Sequence, residues 1–180
     1  MESYGCNCDC QSGCQESLSE IRGALAARKL NCPVCGGKVK KVSSDVVNTF
    51  ANKKLKYKLR DSKHYICLNP TCKAAYFSDD KEKITVDDIR RPIWFKKGAD
   101  PVIICYCNNI TKEQIKEAVR EHGLKSWEKI VLHYRKGKNC ACNKLNPTGE
   151  CCTEHFYEIV NETLDELGKE RVNVSNQCCG

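Results

Sequence analysis

Pro101-Val-Ile-Ile-Cys105-Tyr-Cys107-Asn-Asn-Ile-Thr111-Lys-Glu-Gln114 sets two cysteines between a strand-like apolar run and the start of a helix. Thr111 to Gln114 is a capping box, in which the Thr hydroxyl and the Gln side chain satisfy each other's backbone amides. The helix that follows carries Ile115, Ala118 and Val119 on one face and stops at His122-Gly123. Farther out, Ser126 can cap a second helix in which Trp127, Ile130, Val131 and Tyr134 recur at helical spacing. Thr153 opens a third, with Phe156, Ile159, Val160, Leu164 and Leu167 inward and Gly168 as its stop. Between the second and third lies a loop holding Cys140, Cys142, Cys151 and Cys152. This half of the chain therefore reads as three helices around a cysteine loop.

Upstream, residues 31–98 read as a small β-rich module. Its markers are the Cys32-Pro-Val-Cys35-Gly-Gly turn, a short helix or irregular crossing near Asp45 to Asn52, and strand-like runs at His64 to Cys67 and Ala74 to Phe77. Ile93-Trp94-Phe95 then leads through Lys96-Lys97-Gly98 into a linker with Pro101. The expected organisation is a cysteine-rich tail and short helix over 1–30, the β-rich module over 31–98, a helical module over 99–168 and a C-terminal tail over 169–180. The fold class is α+β. The first tail offers Cys6, Cys8, Cys10 and Cys14 with little to bury and reads as flexible, and Ser17 to Glu20 forms a capping box before Leu18, Ile21 and Leu25.

Sixteen cysteines in 180 residues suit either a secreted disulfide framework or reduced metal ligands. Residues 1–30 lack the apolar run of a signal peptide, and the vicinal pairs and C-x-C spacings suit chelation. A cytoplasmic, metal-binding protein is the expectation. No apolar run approaches the roughly 20 residues of a membrane span. The net charge of +7 has a local origin, because residues 31–66 hold Lys38, Lys40, Lys41, Lys53, Lys54, Lys56, Lys58, Arg60 and Lys63 against Asp45 and Asp61. That segment can be a solvated hairpin face, or it can attract nucleic acid or an acidic protein.

Cys32, Cys35, Cys67 and Cys72 are two pairs of thiols on tight turns, the donor set of a closed tetrahedral zinc site. Such a site has no open position for substrate, so its role is structural. Cys105 and Cys107, followed at long range by a second cysteine cluster, do not have zinc spacing; they suit a [2Fe-2S] cluster, which takes four thiolates. Cys107 lies just before one helix and Cys152 just before another, and helix N-termini favour anionic sulfur by about 0.3 to 1 kcal/mol each.

Cys105-Tyr-Cys107-Asn-x-Ile-Thr111 with its helix resembles the [2Fe-2S] domain of bacterioferritin-associated ferredoxin. Lys136-Gly-Lys-Asn-Cys140 and Asn146-Pro-Thr-Gly-Glu-Cys151-Cys152, taken with Cys32-Pro-Val-Cys35, Cys67-x4-Cys72 and Tyr76-Phe77, resemble the N-terminal domain of archaeal-type CopZ copper chaperones. The likeness covers about residues 31–156. It implies zinc on Cys32, Cys35, Cys67 and Cys72 and a [2Fe-2S] cluster on Cys105, Cys107, Cys140 and Cys152, with Cys142 and Cys151 as alternates. The resemblance also implies electron supply for reduction of Cu(II) to Cu(I), and a redox protein or copper-handling protein as partner. Those chaperones continue into a copper domain with a Met-x-Cys-x-x-Cys loop, whereas the only Met here is Met1. The fourth cluster ligand must also come from Cys151-Cys152 rather than from a C-x2-C pair.

Cys6, Cys8, Cys10, Cys14, Cys178 and Cys179 are further soft donors suited to Cu(I) or a similar ion. His155, after Cys152, is placed to reach cluster sulfur or to remain at the surface, and one histidine does not make a Rieske site. The leading reading is a zinc-stabilised electron-transfer and metal-handling protein. A zinc-ribbon adaptor using segment 38–63 is the alternative, although no helix is placed to enter a nucleic-acid groove. A metal reductase is the third, without support from a nucleotide-binding fingerprint or Walker loop.

Overall fold

The computed structural model describes residues 30–55, 62–80 and 82–174. The helix expected from Ser17, the six terminal cysteines, Tyr57 and the cations Lys56, Lys58 and Arg60 lie outside the described residues.

Four strands, β1 Val39–Val42, β2 His64–Cys67, β3 Ala74–Ser78 and β4 Lys83–Thr85, form an antiparallel sheet in sequence order. Helix α1, Ser44–Phe50, follows β1 and is capped by Ser43, whose hydroxyl accepts from the Val46 amide at 3.3 Å. Strand alternation divides the sheet into two faces. Ile66, Tyr76 and Ile84 pair across three strands and, with Val42, pack on Val46, Val47 and Phe50 of α1. Val39, Tyr65, Cys67 and Phe77 face the other way, toward Cys32 and Cys72, with the Tyr65 and Phe77 rings stacked at 5.5 Å. Both sides of β3 are thus covered. The strands that the sequence pattern missed, β1 and β4, are the two sheet edges. Lys41 and Lys83 on them face solvent and deter edge pairing, which obscures apolar alternation.

A short hairpin of β5, Ile103–Cys105, and β6, Ile110–Thr111, starts the second half. It is followed by α2 Lys112–His122, α3 Trp127–Tyr134, the one-turn α4 Cys142–Leu145, and α5 Thr153–Glu166. The Thr111–Gln114 capping box is formed, with its two bonds at 3.1 and 3.2 Å. Ile115, Ala118 and Val119 meet Trp127, Ile130 and Val131 and the Phe156, Ile159, Val160 and Leu164 stripe in one core. Leu167, expected inward, is 39% exposed, because α5 ends at Glu166 and the chain turns away at Gly168.

The described residues from Asn31 onward pack as one unit. Tyr106, between the two cysteines of the second half, inserts into the first half's core, its ring 5.4 Å from that of Phe50. Its hydroxyl donates to the Pro92 carbonyl at 2.6 Å and accepts from the Trp94 amide at 3.0 Å. Tyr76 reaches the opposite way and donates to the Pro147 carbonyl at 3.1 Å, while Leu145 of α4 joins the core beneath α1. Among the described residues no helix is long and apolar enough to cross a membrane.

Candidate metal centres

Cys32 and Cys35 sit on a tight turn closed by hydrogen bonds from Gly36 N to Cys32 O, 2.8 Å, and from Cys32 N to Gly37 O, 3.0 Å. Gly36 has φ +68°, a conformation that L side chains resist, and a Cβ at Gly37 would lie 3.2 Å from Cys35 Sγ. The glycines therefore let the backbone wrap closely around sulfur. Opposite them, Cys67 ends β2 and Cys72 follows a turn in which Asn69 Oδ1 accepts from both the amide and the hydroxyl of Thr71, each at 3.0 Å. The four sulfurs lie within 4.8 Å of one another, with Cys35 to Cys67 at 3.7 Å and Cys32 to Cys72 at 4.0 Å. A tetrahedron with Zn–S bonds of about 2.3 Å puts its sulfurs roughly 3.8 Å apart, so the donor set is close to what zinc requires.

Electrostatics at this site are those of a cation cage. Burial pushes the Cys67 thiol up to about 12 and also raises Cys72, while hydrogen bonding from the Gly37 amide lowers exposed Cys35 to about 6. A metal ion removes the penalty of burying thiolates. A second cation stands nearby. Lys96, at the end of the β-rich module where the chain leads into the linker, is only 5% exposed, and its ammonium donates to the carbonyls of Asn69, Cys72 and Ala74 at 2.9, 3.2 and 2.8 Å. Lys96-Lys97-Gly98 carries no local pattern that signals this burial.

The second set is a pair of sulfur pairs. Cys105, at the end of β5, and Cys152, the N-cap of α5, are each 1% exposed and in hydrogen-bonding contact. Cys107 Sγ is 3.4 Å from Cys142 Sγ, at the first residue of α4, and the Ala141 amide donates to Cys107 Sγ at 3.3 Å. The contact with Cys152, joined by Asn108, lowers the Cys105 thiol to about 7, whereas Cys142 and burial raise Cys107. Cys140, the sequence's first choice for the third position, is exposed, and its alternate Cys142 is the buried residue. The reason is local: with Ala141 as N-cap, the first residue inside α4 is held against Cys107 and the residue before the cap is left outside. Cys151 is exposed as well, its sulfur 3.0 Å from Thr153 Oγ1.

Side chains that spacing did not single out hold this loop. Asn108 donates to Cys105 Sγ at 3.3 Å and to the Asn139 carbonyl at 2.9 Å, and accepts from the Asn139 amide at 2.8 Å, so one amide ties both cysteine loops together. Arg135 Nε donates to the Asn108 carbonyl at 2.7 Å, and Arg91 lies 5.0 Å over the Tyr106 ring and donates to the Tyr106 carbonyl at 3.3 Å. Trp127 Nε1 is buried with no hydrogen bond of ordinary geometry, yet it is close enough to Cys105 to favour the thiolate. A buried donor and paired thiols suit a sulfur-rich anionic group such as a [2Fe-2S] cluster. His155 turns instead to Glu158 Oε2, 3.0 Å away.

Residues 29–90 match a CopZ-type family described as a zinc binding domain, and residues 103–162 match the BFD-like [2Fe-2S] binding domain. The chain is similar to the copper chaperone CopZ of Archaeoglobus fulgidus, 27% identical over 130 residues, which are 72% of this chain and 61% of that protein. It thus spans about three fifths of that relative's length. The X-ray structure of the Archaeoglobus fulgidus CopZ N-terminal domain aligns with a TM-score of 0.57 at 27% identity, covering 78% of this chain and 99% of that one. The chain is therefore built from a zinc-binding domain of the CopZ kind followed by a BFD-like [2Fe-2S]-binding domain.

Proposed function

We propose that this protein is a one-electron carrier in copper handling, with zinc as its structural metal and Cys105, Cys107, Cys142 and Cys152 as the thiolates that hold a [2Fe-2S] cluster. The observation that carries the reading is the contrast between the two cysteine sets: one closes around a single point, and the other forms two pairs beside a buried donor. When bound, the cluster accepts and releases one electron. Cys105 and Cys152 lie in the core, which excludes water from that side, while Cys107 is half-buried and Cys140 and Cys151 are exposed beside it. The surface near Cys107 is the natural exit toward a partner. A reduced redox protein supplies the electron, and Cu(II), becoming Cu(I), is the acceptor that the CopZ likeness suggests. The cytoplasm, where thiols stay reduced, is the matching compartment.

The adaptor reading gains no support from the described residues. Lys40 is paired with Glu150, and Tyr76 and Phe77 are buried, which removes them as stacking platforms for single-stranded nucleic acid and leaves half-buried Tyr65. Protein purified without oxygen should be red-brown, with about two irons and one zinc per chain and colour bleached by dithionite. Cys142→Ser should abolish the visible absorption and Cys140→Ser should retain it. The opposite pattern would overturn the ligand assignment, and colourless protein with two zincs would overturn electron transfer.

A further inference from the structure

Two buried side-chain polar atoms among the described residues lack a hydrogen-bond partner, Ser78 Oγ and Trp127 Nε1. A hydroxyl can rotate, but an indole nitrogen is a donor only, fixed by its ring. Trp127 opens α3 and is 5% exposed, in the same core as Cys105, Cys152 and Phe156. Its backbone amide meets Tyr157 Oη at 3.4 Å, so the N–H left over belongs to the side chain. For packing alone, Phe or Leu would fill the place without a buried, unmet donor. The unmet indole N–H lies in the same buried core as the Cys105 and Cys152 sulfurs, and Cys105 Sγ already accepts from Asn108 Nδ2 at 3.3 Å.

Resting on the cluster reading above, we propose that the Trp127 indole N–H donates a hydrogen bond to sulfur of the [2Fe-2S] site at Cys105 and raises its reduction potential. Cluster sulfur becomes more negative on reduction, so a donor aimed at it stabilises the reduced form more than the oxidised form. Asn108 and Trp127 then form a two-donor set, one from the cysteine loop and one from α3. The helix contributes to the redox chemistry although it supplies no ligand.

The test uses the full chain with [15N]indole-labelled tryptophan, its cluster reduced by dithionite and observed by pulsed EPR. A 15N coupling that survives in Trp94→Phe and vanishes in Trp127→Phe is the expected result. The reduction equilibrium of Trp127→Phe should move about tenfold toward the oxidised form, roughly 59 mV for a one-electron couple. A cluster signal without 15N coupling, or an unchanged potential in a fully loaded Trp127→Phe protein, overturns the inference and leaves the cluster reading standing. No cluster signal in the unsubstituted protein overturns both. Should Trp127→Phe fail to load, the coupling in labelled Trp94→Phe, where Trp127 is the one remaining indole, decides.

Discussion

Lys96 shows what one residue contributes at the first metal centre. A zinc ion with four thiolates carries net charge −2, and a buried ammonium beside it offsets part of that charge while donating to three carbonyls, of which that of Asn69 also accepts from the Cys72 amide at 3.2 Å. Lys96→Met keeps the length and removes the charge and the donors. It should lower stability by about 2 kcal/mol in urea unfolding and hasten zinc release to a competing chelator. The thiols predict a pH effect as well. In the metal-free protein Cys67, held up to about 12, carries its proton at neutral pH, whereas Cys35, at about 6, has already lost most of its own. Zinc must displace the Cys67 proton, so apparent zinc affinity should rise with pH between 6.5 and 8.5, as measured against a chromophoric chelator. A flat profile would mean that the buried thiols ionise before metal arrives.

At the level of elements, short pieces of regular structure aim the sulfurs. The β5–β6 hairpin presents Cys105 and Cys107, and the Thr111–Gln114 box starts α2 immediately after it. Thr111→Ala removes the acceptor for the Gln114 amide and should cost about 1 kcal/mol in urea unfolding. Because α2 packs against α3 and α5 in one core, the loss should appear in global unfolding rather than as fraying of one helix. The elements that the sequence showed clearly, α2, α3 and α5, have caps and apolar stripes of their own. The one-turn α4 has too few residues to show periodicity, so its role in bringing Cys142 rather than Cys140 to Cys107 was not legible.

Across the whole described unit, the two metal centres are joined by the segment from Pro92 to Lys97. Its C-terminal part holds the zinc turn, through the Lys96 bonds and a Lys97 N to Pro70 O bond of 2.9 Å. Its N-terminal part holds Tyr106, between Cys105 and Cys107, through Pro92 and Trp94. Zinc-free protein should therefore lose its [2Fe-2S] absorption in air faster than zinc-loaded protein. Tyr106→Phe, which deletes the bridging hydroxyl, should narrow that difference. Equal rates of loss with and without zinc would show that the centres are independent.

The α+β class, the three longer helices and the division of the cysteines into two kinds of centre are legible in the order of residues alone. Those readings depend on local spacing, on caps and on donor chemistry, all of which act over a few residues. The packing of Cys142 rather than Cys140 against Cys107, the burial of Lys96, the unmet indole of Trp127 and the Tyr106 bridge emerge only from the three-dimensional packing. Each depends on residues far apart in the chain converging on one point, where burial turns an ordinary surface lysine or core tryptophan into a charged or donating partner of sulfur.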